Sequence, residues 1–181
     1  MLFCNLTKNR EVAVISQLLA IFGTVEVRQM RALFSHLSDA RFGRIMFRLE
    51  REGIVYHNPG GRYLSSSWCA AGRTDPAASV RTFWAFIRVK DRLESFCGGD
   101  GPVLVSVSNG ADELDMIPVR ADSAGEIAAH AAAVPKDVKR LLIVSSAEEA
   151  DGLAFRDRND FLMEVGEDGE TGLYKIQGGY E

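Results

Sequence analysis

Apolar residues fall at helical spacing from Asn9 to Phe22, with Val12, Ile15, Leu18, Leu19 and Phe22 on one face and Gly23 as the stop. Thr24-Val25-Glu26 is a short link with room for an extended residue. The spacing of Met30, Leu33 and Phe34 predicts a second helix over about 26–34. Ser35–Ser38 makes a turn, and Ser38 suits an N-cap, where its hydroxyl accepts from a backbone N–H that the next turn leaves free. A third helix is predicted over about 39–52 and closed by Gly53. Phe42, Ile45, Met46 and Leu49 share its apolar face, and Arg41, Arg44, Arg48 and Arg51 share another. At ~100° per residue the two groups point roughly 130° apart, so one packs while the other stays in water. Ile54–His57, the turn Asn58-Pro-Gly-Gly61 and Arg62–Ser65 then read as a hairpin.

Three short helices and a hairpin form the pattern of a winged helix-turn-helix. Arg48-Leu-Glu-Arg-Glu-Gly-Ile-Val55 resembles the "RLExxGLV" passage from a winged-helix recognition helix into its wing. Leu6-Thr-Lys-Asn-Arg10, Leu18-Leu-Ala-Ile-Phe-Gly23 and Thr24–Met30 are similar to the start of such domains in replication-relaxation proteins of bacterial mobile elements. The resemblance covers about a third of the chain. It implies binding of double-stranded DNA, with the third helix in the major groove. Guanidinium groups pair with phosphates and fork onto guanine, which supports the same reading independently. Ser38, Arg41, Arg44, Arg48, Arg51 and Arg62 are the candidate DNA-contacting residues, with Arg62 in the wing.

Beyond Ser65 the pattern changes. Residues 68–76 read as a linker, in which Asp75 caps a helix with Pro76 at its first position. Val80, Phe83, Trp84 and Ile87 give that helix an inward stripe, and it is expected to run to about Phe96 and end at Gly98-Gly99. Pro102–Ser108 and Glu113–Val119 follow as paired strands, the second at or near an edge because Pro118 cannot donate to a ladder. A helix over about 123–134, a buried strand over 140–145, a short helix with Ser146-Ala-Glu-Glu149 as capping box, and a hairpin around the acidic turn 166–171 complete the series. The expected fold class is therefore α+β. A winged-helix domain (1–67) precedes a small mixed α/β domain with a central sheet (77–181), in an element order that resembles a restriction-endonuclease-like core.

Composition adjusts this picture. The chain has 181 residues, is 46% hydrophobic and 25% charged, which excludes a largely disordered protein. The net charge of −4 would argue against nucleic acid, but it averages two unlike parts. Residues 1–67 carry nine Lys/Arg against five Asp/Glu, a balance of +4. Residues 68–181 carry twelve against twenty, a balance of −8. An acidic body lying over the arginine face would act as an internal DNA mimic. Cys4, Cys69 and Cys97 form no CxxC pair and are odd in number, which with the lack of a leader segment points to a reduced cytoplasmic protein.

Candidate chemistry is sparse. Glu113 and Asp115 fall on one face of a strand and suit Mg²⁺, but the acidic-x-Lys element of nucleases is missing after them. His36, His57 and His130 have no metal-ligand spacing; His57 reads as a surface or DNA-facing wing residue and His130 as a helix-surface residue. Cys97 reads as a buried or capping residue at a helix end, where a thiol is not activated. No cofactor motif is present. The expectation is a non-enzymatic regulator or accessory protein of a bacterial or mobile-element system, whose second domain serves self-association, a protein partner or a ligand. The alternatives are a winged helix that docks proteins instead of DNA, and a metal-dependent nuclease.

Overall fold

The computed structural model describes residues 8–67, 76–135, 137–150, 153 and 160–175. Cys4, most of the expected linker (68–75, with Trp68, Cys69 and the Asp75 cap) and the segment 176–181 lie outside the described residues. The structure is mixed α+β, with five α-helices and two sheets among the described residues.

The first part contains α1 (Lys8–Phe22), β1 (Thr24–Glu26), α2 (Val27–Leu33), α3 (Asp39–Arg51), β2 (Tyr56–His57) and β3 (Tyr63–Ser65). The helical stripes pack as their spacing predicts: Ile15, Leu18, Leu19, Met30, Phe34, Ile45 and Leu49 are buried. Two caps bound α3. The Ser38 hydroxyl accepts from the N–H of Arg41 at 3.3 Å. Gly53 turns the chain at φ 69°, a conformation that costs a residue without a Cβ little, and lets the Ile54 N–H reach the Leu49 carbonyl at 2.9 Å. The link after α1 is a full strand, since β1 pairs antiparallel with β3 and sets Val25 opposite Leu64. A hydrogen bond of 2.9 Å joins the Thr24 and Ser65 hydroxyls.

The rest of the chain contains α4 (Ala77–Val89), a 3₁₀ turn (Lys90–Arg92), β4 (Ser95–Gly98), β5 (Val105–Ser108), β6 (Glu113–Pro118), α5 (Ala124–Ala133), β7 (Lys139–Val144), a second 3₁₀ turn (Ala147–Ala150), β8 (Asp160–Val165) and β9 (Thr171–Lys175). The six strands β4 to β9 lie side by side in chain order. Pairing is parallel at β6–β7 and β7–β8 and antiparallel elsewhere. Strand alternation divides the apolar residues between two faces. Met116, Leu141, Ile143, Met163 and Val165 join the core shared with α4. Ile117, Leu142, Val144 and Leu162 pack with Ile127 of α5 in a second core.

The first core does not stop at the expected domain boundary. α4 is a middle layer, with α1, α2 and β1 on one side and the sheet on the other. Phe22 of α1 lies edge-on to Phe83 and Phe86 of α4, and Phe86 meets Phe96 of β4 at 5.3 Å between ring centroids. The buried Gln29 side chain of α2 donates to the Val80 carbonyl of α4 at 2.7 Å.

Four local expectations are corrected. The helix after residue 76 ends at Val89, not near Phe96, because Ser95–Gly98 pairs with β5 and places Phe96 opposite Val107. Apolar residues spaced for a helix serve here as an edge strand, and strand pairing overrides the local period. Cys97 is accordingly exposed on that strand instead of closing a helix. Pro118 lies on an interior strand, not at an edge, and it is tolerated because it is the last residue of β6. The next residue, Val119, resumes donation to the Ile143 carbonyl at 2.9 Å. In the turn after β7, the Glu149 carboxylate accepts from the N–H and hydroxyl of Ser145, so it bonds Ser145 and not Ser146.

Candidate nucleic-acid interface

α3 places its sequence-predicted residues at the surface. Phe42, Ile45, Met46 and Leu49 are buried against the other helices, while Arg41, Arg44, Arg48 and Arg51 are exposed. The four arginines are not equivalent. Arg41 crosses to α1 and bonds the buried Glu11 at 2.8 Å. Arg48 pairs with Glu52 one turn on, at 2.7 Å. Such exposed pairs hold little energy and exchange readily for a stronger anion. Arg44 and Arg51 have no carboxylate partner among the described residues, and Arg44 only returns a hydrogen bond to the Ala40 carbonyl at 3.2 Å.

Arg62 sits apart from this stripe. It bonds the buried carboxylate of Glu26 at 2.7 and 2.8 Å, and that hydrogen bond, with the Glu26 charge, holds its guanidinium above the ordinary arginine value. Arg28 meets the same carboxylate and also donates to the Glu167 carbonyl at 2.6 Å. A cleft of about 630 Å³ beside them is lined by Val27, Arg28, Arg31, Arg62, Glu167 and Asp168. The acidic turn between β8 and β9 therefore lies against α2 and the start of β3, where it offsets their arginines. Arg31 braces the turn into α3, since it donates to the carbonyls of Phe34 and Leu37.

The same helix carries two features absent from the sequence-derived set. Phe47 is 66% exposed, three residues after Arg44 and four before Arg51. Gly43, one turn before Phe47, is also exposed, and a Cβ built there meets nothing within 4 Å. A signal for Phe47 was available: position 47 falls on the arginine side of the helical wheel and away from the apolar stripe. His57 on β2 pairs with Glu50 of α3 at 2.5 Å and ties the hairpin to the helix.

The carboxylates of β6 do not act as a pair. Glu113 is exposed. Asp115 is buried, accepts from the Ser106 hydroxyl at 2.6 Å and meets His130 Nε2 at 3.3 Å. His130 is thus half-buried against Asp115 rather than a solvated helix residue, because α5 lies over this face of the sheet. Cys97, Ser106, Asp115, Arg140 and Asp160 stand at one register across five strands. Arg140 and Asp160 form a buried two-pronged ion pair. Each strand contributes one member of this row, so no spacing along the sequence reveals it. Among the described residues, no group of three or more His, Cys, Asp or Glu side chains is placed to hold a metal ion. No described helix is long and apolar enough to cross a membrane.

Comparison with known proteins finds no match among protein-family models, curated proteins or solved structures.

Proposed function

We propose that residues 8–67 form a winged helix-turn-helix that binds duplex DNA, with α3 as the helix that enters the major groove and β2–β3 as the wing. The outward face of α3 carries this reading. It presents Arg44 and Arg51 with no carboxylate partner among the described residues, and Arg48 in a pair that a phosphate can displace. Its opposite face is fixed in the core, which holds the helix rigid for docking. Ser38 caps the N-terminal turn by accepting from the Arg41 N–H, which fixes the start of the helix beside Arg41 and Arg44. Arg41 and Arg62 act chiefly as braces for Glu11 and Glu26. The likeness of residues 48–55 to a recognition helix and wing agrees with this assignment. The protein binds DNA without performing chemistry on it, in the manner of a regulator or accessory factor. The body formed by α4, α5 and the six-stranded sheet positions the head and supplies a surface for self-association or a partner.

Gel-shift titration of a random 30-base-pair duplex over a salt series tests the proposal. Each phosphate contact that is lost reduces the slope of log K against log salt by roughly one. The Arg44→Ala/Arg51→Ala protein is expected to bind more weakly, with a slope reduced by about two. Equal affinity and equal slope for the two proteins would remove α3 from the interface.

A further inference from the structure

Phe47 places a bare aromatic ring at the edge of a cationic helix face. With Arg44 set at zero and ~100° per residue, Arg51 falls near −20°, Arg48 near 40° and Phe47 near −60°. The centre of the buried stripe lies on the far side, near 150°. Phe47 therefore points away from the core, and at 66% exposure it contributes almost nothing to folding. Gly43 lies directly behind it on the same side. Glycine in a helix interior costs roughly 1 kcal/mol relative to alanine. Among the described residues nothing requires that glycine, because a Cβ would meet no atom within 4 Å. An aromatic ring next to a bare stretch of backbone is a shape that admits a close, partly apolar neighbour. The arginines beside it select a neighbour that is also anionic.

In the major groove, the apolar group that a duplex can offer beside its phosphates is the C5-methyl of thymine. We propose that Phe47 reads sequence by packing its ring on a pyrimidine C5-methyl group, while Arg44 and Arg51 hold the flanking phosphates. This rests on the DNA-binding reading of α3 and goes beyond it by assigning base selectivity to one side chain. The arginines supply affinity for any duplex, and Phe47 supplies preference among duplexes.

The test removes and restores the methyl group while leaving the Watson–Crick pattern intact. One pair of probes is an alternating A·T duplex and the same duplex with deoxyuridine in place of every thymidine. The second pair is an alternating G·C duplex and its 5-methyldeoxycytidine counterpart. The full-length protein is expected to bind the methylated member of each pair about fourfold more tightly, the gain for one buried methyl group. Phe47→Ala is expected to bring both ratios to about one with the salt slope unchanged, and Phe47→Leu to keep part of them. Arg44→Ala/Arg51→Ala is expected to reduce the salt slope by about two and keep the ratios. Salt-dependent binding with both ratios near one in the wild type, or ratios that survive Phe47→Ala, would overturn the assignment of Phe47 and leave DNA binding standing. No salt-dependent binding to any of the four duplexes would overturn both, and would leave Phe47 as an anchor for a protein partner.

Discussion

Phe22, the last residue of α1, sets its ring edge-on to Phe83 of α4, with centroids 4.8 Å apart and planes at 84°. The contact joins two stretches that the sequence separates by a change in charge and a serine-rich segment. Both rings are buried, and the apolar cluster around them runs from α3 through α4 to β8. A core shared in this way couples the two parts during unfolding. Denaturant unfolding is expected as a single transition, with coincident midpoints by far-ultraviolet circular dichroism and tryptophan fluorescence. Phe83→Ala should lower stability by about 3–5 kcal/mol and move both signals together. Two separated midpoints would show that the parts fold independently.

Arg41 illustrates how a residue type in the right stripe can serve another purpose. Its guanidinium is the described partner of Glu11, whose second carboxylate oxygen is buried without one. Removing Arg41 strands a buried acceptor, at a cost of about 1–3 kcal/mol. Arg51 makes no such contact among the described residues, so its removal should leave stability within about 0.5 kcal/mol of wild type. Urea midpoints of Arg41→Ala and Arg51→Ala, measured beside their salt slopes for duplex binding, should separate the two roles. Arg41→Ala is expected to unfold earlier, and Arg51→Ala to lose the larger share of salt dependence. Equal urea midpoints would argue that the Glu11 contact holds nothing together.

Much of this architecture could be read from spacing alone, and the failures have specific causes. α3 announced itself because a wide apolar stripe, Ser38 and Gly53 all agree on its bounds. β1 is legible only as a link with room for an extended residue, because three residues are too few to establish a period. β4 reads as helix because Leu93 and Phe96 continue a helical period that only the partner strand β5 overrules. The candidate interface was legible as a set of arginines but not as a ranking among them. Ranking depends on Glu11, Glu26 and Glu52, which lie as much as 36 positions from the arginines they hold. The acidic turn reaches Arg28 and Arg62 rather than α3, a placement that the charge balance of the two segments does not encode.

Gly43 offers a test in which stability and binding should move in opposite directions. An alanine at this mid-helix position has open space for its methyl group and a normal helical backbone. Gly43→Ala should raise stability by about 0.5–1 kcal/mol, through the smaller backbone entropy lost on folding. That corresponds to a thermal midpoint higher by roughly 1–4 °C for a chain of this size. If DNA approaches the backbone there, the same methyl group should weaken duplex binding without changing the salt slope. A more stable protein with unchanged affinity would place the contact surface elsewhere on α3.

Glu149 provides a prediction about acid. Burial pushes its carboxyl upward, but hydrogen bonds from the Ser145 hydroxyl and N–H, with the charge of Arg81, outweigh this and hold it below its ordinary value of 4.5. A carboxyl with a depressed folded-state pKa contributes stability that is present above the ordinary value and lost as pH falls through the folded value. The group is largely exposed, so the contribution is small, no more than about 1 kcal/mol. Glu149→Gln cannot gain from ionisation, so it should be less stable than wild type at neutral pH. The gap between the two thermal midpoints should stay constant down to the region of 4.5 and shrink as the wild-type carboxyl protonates below it. Midpoints recorded from neutrality down to about pH 3 decide the matter. A gap that does not change with pH would mean that the Ser145 contacts act through geometry alone.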